Sequence, residues 1–238
     1  MKPYQKISIL ECGEPLVPIP LELFAVESPH PYQKLGASYD KFSPYHLRQS
    51  VLTALITAQN HLQKRHPGWH LKIFDAYRPV AVQQFMVDYT FAELVRKNEI
   101  NLAVLSEGQR EAIWQQVYQI WAIPSANPMT PPPHSTGAAI DLTLVDATGK
   151  TVDLGSAIDE LSDRSHPSYY ASQPQKPYQT LRQLLLEVMQ SAGFQRHQGE
   201  WWHFSLGDQM WAWLCQQENP QQNFTARYGL VTSSTPNP

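Results

Sequence analysis

The sequence predicts a single α+β domain in which helices pack around a small antiparallel sheet. Long stretches with apolar residues at helical spacing predict the helices, and short stretches in which apolar and polar residues alternate predict the strands. Of the 238 residues, 42% are hydrophobic, including seven Trp. A chain of this length and composition fits one domain with a substantial core.

The helical stretches are bounded by residues that start or stop helices. The first ends at His66-Pro67-Gly68, and the second covers residues 80–97. A third begins near Ser106, whose hydroxyl is a suitable N-cap. The last long helix contains residues 181–189 and ends before Gly193, a typical C′ residue.

The predicted strands are short. Residues 69–73 alternate and run into the segment 75–79, and residues 138–145 alternate in the same way. The segment 146–149 has the composition of a turn, so residues 150–154 are predicted to return as a hairpin partner. A last strand is predicted at about 200–206.

Three regions are expected along the chain. Residues 1–45 are rich in Pro and Tyr and lack periodicity, which favours an extended arm packed on the domain. Residues 46–230 contain the predicted helices and strands and form the domain itself. Residues 231–238 are small and polar and are expected to form a flexible tail.

Charge and hydropathy exclude several classes of partner. A net charge of −3 provides no basic surface for nucleic acid. Because there is no apolar run of about 18 residues, we expect no membrane span. The apolar piece at residues 7–10 is too short for the core of a signal peptide, so a cytoplasmic location is expected. Nothing in the sequence indicates an oligomeric state.

The two cysteines do not predict a functional thiol. Cys12 and Cys215 are far apart and form no C-x-x-C pair. Cys215 lies in an apolar run at residues 210–214, where a buried inert thiol is expected.

Two segments carry residues suited to metal chemistry. His134 is followed by Asp141, and Glu200 is followed by His203. A catalytic zinc ion needs three protein ligands and an open position for water, and His and Asp or Glu are suitable ligands where thiolates are absent. The remaining carboxylate is then free to take a proton from that water.

The predicted strands indicate how these side chains are placed. Asp141 shares its strand face with the small residues Ala139 and Thr143, which leave room for a cavity. In a regular strand, residues three apart point to opposite faces, so Glu200 and His203 would not face one metal ion. We therefore expect Glu200 at an irregular strand entry and His203 inside the strand.

Each of these patterns also has an ordinary structural explanation. A His and an Asp seven residues apart are common, and Glu200 with His203 could be a surface carboxylate beside a packed histidine. Asp75 and Arg78 could be a structural ion pair at a strand end. The remaining histidines have no comparable spacing and are interpreted as surface or packing residues: His30, His46, His61, His66, His70, His166 and His197.

The combination of motifs is more specific than its parts. Asp-Ala-Tyr-Arg-Pro at 75–79, Ser-Thr-Gly-Ala-Ala-Ile-Asp-Leu-Thr-Leu at 135–144 and Glu-Trp-Trp-His at 200–203 occur in this order. In this, the chain resembles the D-alanyl-D-alanine dipeptidases of the VanX type, within the zinc D,D-peptidases that also include D,D-carboxypeptidases. The resemblance extends from about Tyr32 to Phe204.

The resemblance implies one zinc ion per chain and a role for each motif residue. Zinc would be bound by three side chains, with a general base and an electrophilic helper beside it: His134, Asp141 and His203 as ligands, Glu200 as base and Arg78 as helper. Hydrolysis would then take place in one water-mediated step without an acyl-enzyme. The sequence contains no G-x-S-x-G motif that would indicate a serine nucleophile.

The resemblance also implies a site for the substrate, a small dipeptide. In the segment 155–166, Asp159 matches the aspartate that helps to hold the free amino group, and Tyr32 is expected to assist it. The chain departs from the family where Ser often precedes the zinc histidine, because Pro132 and Pro133 stand there. A hydroxyl contact to the substrate is therefore lost, which bears on side-chain preference.

Three alternatives to a dipeptidase remain at this point. The same site could serve a D,D-carboxypeptidase acting on cell-wall peptides. The domain could also be a zinc-dependent binding module without turnover, or a domain without metal. A dipeptidase activity would be compatible with antibiotic resistance, wall turnover or dipeptide scavenging.

Overall fold

The computed structural model describes residues 2–232, and residues 233–238 of the predicted tail lie outside this range. The described chain forms an α+β domain, which confirms the predicted fold class. Its helices are α1 Pro31–Lys34, α2 Gln49–Arg65, α3 Val80–Lys97, α4 Glu107–Ile120, α5 Tyr178–Gln190 and α6 Gln209–Glu218. Its strands are β1 Leu16–Pro18, β2 Ala25–Val26, β3 His46–Arg48, β4 His70–Asp75, β5 Ala139–Val145, β6 Gln195–Arg196 and β7 His203–Ser205.

A five-stranded sheet in the order β2-β4-β5-β7-β6 forms the centre of the fold. Neighbouring strands of this sheet pair antiparallel, except that β2 lies parallel to β4 at one edge. A separate two-stranded sheet pairs β1 with β3 antiparallel. Residues 2–45, predicted as an extended arm, therefore supply strands β1 and β2 and the short helix α1.

The register of the central sheet places polar residues in one row. Asp75 at the end of β4 pairs with Asp141 of β5, and Asp141 pairs with His203 at the start of β7. Cross-strand partners lie about 5 Å apart on the same face of a sheet. Residues that are far apart in sequence are thus neighbours at this position.

The core consists mainly of two clusters. The larger lies between the sheet and helices α2 and α5 and includes Leu55, Leu142 and Trp202, which are fully or almost fully buried. The second lies between α3 and α4 and includes Tyr32 and Trp121. The sheet and the α3–α4 layer both contribute residues to one pocket, among them His203 of β7 and Gln83 of α3.

Two helix starts show why these elements begin where they do. Ser106 accepts a hydrogen bond from Gln109 N at 3.3 Å, and the Gln109 side chain accepts one from Ser106 N at 2.9 Å, which makes a capping box for α4. Asp208 caps α6 by accepting from Trp211 N at 2.8 Å. Residues 210–214 show only an apolar run in the sequence, which does not predict this helix.

Two of the predicted strands, at 150–154 and 200–206, are shorter than expected. The hairpin partner at 150–154 is reduced to a single bridge between Val145 and Thr151 and one hydrogen bond from Val152 N to Leu144 O at 2.8 Å. The strand predicted from residue 200 begins only at His203, because Trp201 N bonds instead to Ser165 O at 3.1 Å. Within residues 2–232, no helix is both long enough and apolar enough to cross a membrane.

Candidate metal centre and active site

Three buried side chains converge at the row of polar residues in the sheet. His134 Nε2 lies 3.1 Å from Asp141 Oδ2, and His203 Nδ1 lies 3.0 Å from Asp141 Oδ1. The two imidazoles approach each other at 3.2 Å, between His134 Nε2 and His203 Nδ1. Because all three offer a ligand atom within 4.8 Å of the others, they form a group that could hold a metal ion.

The local backbone explains how His134 joins residues from the sheet. It stands in one turn of 3₁₀ helix, Pro133–Thr136, which ends at Gly137 with φ +71°. This left-handed conformation is readily adopted by glycine and turns the chain directly into β5. Ser135 fixes the turn from behind by donating to Arg78 O at 2.7 Å.

The hydrogen bonds around the imidazoles fit zinc as the metal. His134 Nδ1 lies 2.7 Å from the carbonyl oxygen of Ala76, which can only accept, so Nδ1 carries a proton and Nε2 is the nitrogen placed to bind a metal ion. In His203 the roles of the two ring nitrogens are reversed. Its Nε2 lies 3.4 Å from Ser205 Oγ, so Nδ1 is the nitrogen placed to bind a metal ion. Two nitrogen donors and one carboxylate are a ligand set that catalytic zinc uses.

The two histidines of this group favour the ionised form of Asp141 in the folded protein. Burial by itself raises the pKa of Asp141, but the adjacent His134 and His203 hold that pKa well below its ordinary value. Asp141 is therefore a carboxylate at neutral pH. A deprotonated oxygen is the form that binds a metal ion.

Glu200 lies beside this group without belonging to it. Its Oε2 is 3.9 Å from His203 Nδ1, and its Oε1 is 3.6 Å from His197 Nδ1. As expected from the sequence, Glu200 precedes the regular strand, so it reaches the same side of the sheet as His203. Burial, together with the negative charges of Asp141 and Asp159, raises the pKa of Glu200 well above its ordinary value. A carboxyl group of this kind is suited to accept and return a proton.

Arg78 is buried at the edge of the group and has a partner for each nitrogen. Its Nε donates to Asp75 Oδ2 at 2.8 Å, and its Nη1 donates to Gln83 Oε1 at 2.9 Å. Nη2 donates to Tyr32 Oη at 3.0 Å and to Asp141 Oδ2 at 3.2 Å. The ion pair with Asp75, which the sequence left open as a purely structural contact, therefore exists and also fixes Arg78 beside the candidate ligand Asp141.

Asp159 and Tyr32 continue this network toward the far wall of the pocket. The Tyr32 hydroxyl donates to Asp159 Oδ2 at 2.8 Å. Asp159 has a φ of +62°, which is uncommon for a residue other than glycine and often marks a functional position. Burial, with the negative charge of Asp141, raises the pKa of Asp159 to about 7. The side chain thus has a strong tendency to take up a cationic partner.

Several residues of the site were not identified from the sequence. Asp75, interpreted from the sequence only as a possible ion-pair partner of Arg78, is buried and also contacts His30 Nε2 at 3.1 Å and the Tyr39 hydroxyl at 3.2 Å. His197 lines the pocket, although it was interpreted as a surface or packing residue. Its position three residues before Glu200 repeats the spacing from Glu200 to His203, and this was the available signal.

The pocket is closed by residues from other parts of the chain. Trp121 at the end of α4, Pro133 before the candidate ligand and Met210 of α6 line it. The same wall includes Lys2 and Tyr4 from the start of the chain. No sequence pattern connects these residues, because only the tertiary fold brings them to one pocket.

Comparison with known proteins finds relatives over most of the chain. A family model described as D-ala-D-ala dipeptidase matches residues 26–225. A D-alanyl-D-alanine dipeptidase of Synechocystis sp. is 53% identical over 97% of each chain. One of Enterococcus faecalis is 32% identical over 68% of this chain and 73% of its own. Among solved structures, a mutant vancomycin resistance D,D-pentapeptidase VanY in complex with Zn(II) covers 76% of this chain and 82% of its own, with 14% identity and a TM-score of 0.45.

Proposed function

The chain belongs to the D-ala-D-ala dipeptidase family, and we propose that it hydrolyses the peptide bond of D-alanyl-D-alanine with one zinc ion per chain. The observation that carries the proposal is the buried group of His134, Asp141 and His203 with the separate carboxyl of Glu200 beside it. Three ligands and one unliganded acid are what a metallopeptidase requires, whereas a protein that only binds metal has no use for Glu200.

Zinc would be bound by His134 Nε2, His203 Nδ1 and Asp141, and when bound it would supply a Lewis acid that polarises the scissile carbonyl and acidifies water. The ring proton on His134 Nδ1 is fixed by Ala76 O, so Nε2 is the nitrogen that would bind the metal. The protein thereby keeps its ligand atoms ready for the metal.

Glu200 is the general base in this proposal. It accepts a proton from the attacking water and then donates it to the amine of the departing D-alanine. Burial raises the pKa of the Glu200 carboxyl well above its ordinary value, which makes the carboxylate a stronger base toward water than an exposed one.

Arg78 stabilises the negative charge that develops on the carbonyl oxygen. Its guanidinium is rigid, because Asp75 and Gln83 hold Nε and Nη1. Nη2 faces the pocket beside Asp141, where a fixed positive charge needs no reorganisation during the reaction. The structural ion pair and the catalytic role are thus two uses of one side chain.

Asp159 binds the ammonium group of the substrate, and the Tyr32 hydroxyl holds the carboxylate of Asp159 in place. The positive φ of Asp159 directs a loop residue toward the metal ligands. Pro133 lines the pocket next to His134 and offers an apolar surface in place of a hydroxyl, which suits the methyl side chain of alanine.

The test is a hydrolysis assay with substrates that differ at the amino end and in chirality. D-Ala-D-Ala should be cleaved, whereas L-Ala-L-Ala should be resistant. N-acetyl-D-Ala-D-Ala should also be resistant, because it leaves Asp159 without a charged partner, a contact worth roughly 1.5–3 kcal/mol. A preference for the acetylated compound would indicate a D,D-carboxypeptidase, and binding of D-Ala-D-Ala without turnover would indicate a binding module.

Asp159→Asn provides the matched variant for this assay. It removes the charge and keeps the size of the side chain and its contact with Tyr32. We expect it to slow the free dipeptide far more than the acetylated one, so the ratio of the two rates narrows. An equal effect on both substrates would assign Asp159 a structural role.

The proposal also includes a cytoplasmic location and a place in the metabolism of cell-wall peptides, which end in the same dipeptide. Cell fractionation followed by immunodetection tests the location. Accumulation of free D-Ala-D-Ala in cells that lack the protein tests the metabolic role.

A further inference from the structure

The pocket contains a lysine that the proposed reaction has not used. Lys2 lines the pocket with Glu200 and His197 and is half-buried. Its Nζ donates to Tyr118 O at 3.4 Å, and among residues 2–232 no carboxylate lies within the 4.0 Å that defines an ion pair with it. Burial lowers the pKa of Lys2, while the nearby Glu200 raises it. A half-buried ammonium with one long contact to a neutral oxygen is a group that can still accept an anion.

The segment that carries Lys2 is anchored to the domain. Lys2 N donates to Gln5 Oε1 at 2.8 Å, which closes the first turn of the chain. Tyr4 packs against Met210 of α6, and Gln209 of α6 donates to Ile7 O at 2.7 Å. The backbone at Lys2 is therefore held over the pocket by α6, and only the side chain has to adjust to a ligand.

The other basic groups of the pocket are already committed. Arg78 donates to Asp75, Gln83, Tyr32 and Asp141, and in the proposed reaction its Nη2 also stabilises the carbonyl oxygen of the scissile bond. The candidate metal ligands use the imidazoles of His134 and His203. His197 Nδ1 already has a partner, because it accepts a hydrogen bond from Gly199 N at 3.2 Å.

A free dipeptide carries an ammonium group at one end and a carboxylate at the other. Asp159 provides the partner for the ammonium group, and the carboxylate also needs one when it leaves water. We propose that Lys2 binds the C-terminal carboxylate of the dipeptide substrate. This inference rests on the proposed function and adds the residue that recognises the second end of the substrate.

The first test compares D-Ala-D-Ala with D-alanyl-D-alaninamide, which lacks the carboxylate. For the zinc-loaded wild-type protein and Lys2→Met, we expect the KM for D-Ala-D-Ala to rise roughly tenfold to a hundredfold in the variant, the scale of one charge-assisted hydrogen bond. The kcat should change by less than about threefold, and the kinetics on the amide should be the same in both proteins. Lys2→Arg should restore most of the lost affinity because it restores the charge.

Lys6→Gln is the control for the segment, because Lys6 is an exposed lysine in the same turn of the chain. It should match the wild type on both substrates. Thermal melting of all variants checks that the segment remains folded on α6.

Two kinetic outcomes would overturn the inference. Equal losses on the dipeptide and the amide would show that Lys2 only supports the fold of the pocket. A fall in kcat with a shifted pH profile and an unchanged KM would show that Lys2 acts on Glu200 and not on the substrate.

A binding measurement separates this inference from the proposed function. In zinc-loaded Glu200→Gln, calorimetry should show that adding Lys2→Met weakens D-Ala-D-Ala at least tenfold and leaves the amide unchanged. Wild-type protein that binds the dipeptide without cleaving it would contradict the proposed function and leave the result for Lys2 valid. Protein that does not bind the dipeptide would contradict both.

Discussion

At the scale of single residues, two carboxyl groups of the site have different pKa values because their surroundings differ. Asp141 lies between His134 and His203, which hold its pKa well below the ordinary value, whereas burial and nearby negative charges raise the pKa of Glu200. One acid is therefore kept ionised as a ligand and the other is prepared to exchange a proton. Environments that drive two pKa values apart are typical of acid–base catalysis.

Glu200→Gln tests this separation of roles. The variant should retain zinc, because Glu200 is not among the three converging ligands. Its kcat should fall by roughly two to four orders of magnitude, the scale associated with a general base. Zinc content by atomic emission and steady-state kinetics on D-Ala-D-Ala are the measurements. Loss of zinc together with near-normal turnover on added zinc would show that Glu200 is a ligand.

Arg78→Lys tests the dual use of the guanidinium. Lysine preserves the charge but has no rigid fork to contact Asp75 and the pocket at the same time. We expect kcat/KM to fall at least about tenfold, mainly through kcat, because the contact to the carbonyl oxygen strengthens in the transition state. A lower melting temperature with unchanged kinetics would limit Arg78 to its ion pair.

At the scale of secondary-structure elements, the sequence predictions succeed where the signal is local and fail where it depends on distant residues. The helix predicted over 80–97 coincides with α3, and the helix predicted to begin near Ser106 starts at Glu107. Both depend on local periodicity and caps, which the sequence displays directly. Strands β2 and β6 have two residues each and show no periodicity, so only their pairing partners define them.

The missed helix α6 has a similar cause. Its residues Met210, Ala212, Leu214 and Cys215 are all buried, so an apolar stripe does not stand out against a polar face. Asp208 was the local signal for its start, because it caps the first turn. The site itself shows the same limit, since the three candidate ligands stand in sequence motifs, whereas Lys2 and His197 reach the pocket only through tertiary packing.

The turn at Gly137 is the element that delivers His134 to the sheet, and Gly137→Ala tests it. A Cβ at this position would collide with the Leu16 side chain, in addition to the strain of a φ of +71°. We expect the free energy of unfolding to fall by about 2–4 kcal/mol, combining left-handed strain with overpacking. Urea denaturation provides the measurement.

Gly149→Ala is the matched control for that turn. Gly149 has a φ of +82°, but nothing lies within 4 Å of a Cβ placed there. The control should lose only the conformational part, about 1–2 kcal/mol. Equal losses in the two variants would show that the contact with Leu16 is readily relieved.

At the scale of the whole molecule, the site joins parts of the chain that are distant in sequence. Its candidate ligands come from the turn before β5, from β5 itself and from β7, while α6 positions the N-terminal turn above them. The segments around Ile9 and Ala226 also meet, because these two residues form a parallel bridge. A metal ion held by three such segments would link the sheet internally, so its binding is coupled to the stability of the folded domain.

Removal of zinc should therefore lower the melting temperature of the entire domain. At a free zinc concentration about a thousandfold above Kd, binding stabilises the folded state by about 4 kcal/mol. For a domain of this size, that corresponds to a shift of about 10 °C. Scanning calorimetry of the zinc-loaded and chelator-treated protein measures this difference.

His203→Ala should abolish the shift, because one of the three converging ligands is missing, whereas Glu200→Gln should retain it in full. A zinc-dependent shift of the same size in His203→Ala would place the metal elsewhere in the molecule, and a loss of the shift in Glu200→Gln would make that carboxyl a ligand. The pair of variants thus locates the ion by its effect on folding, independently of any turnover.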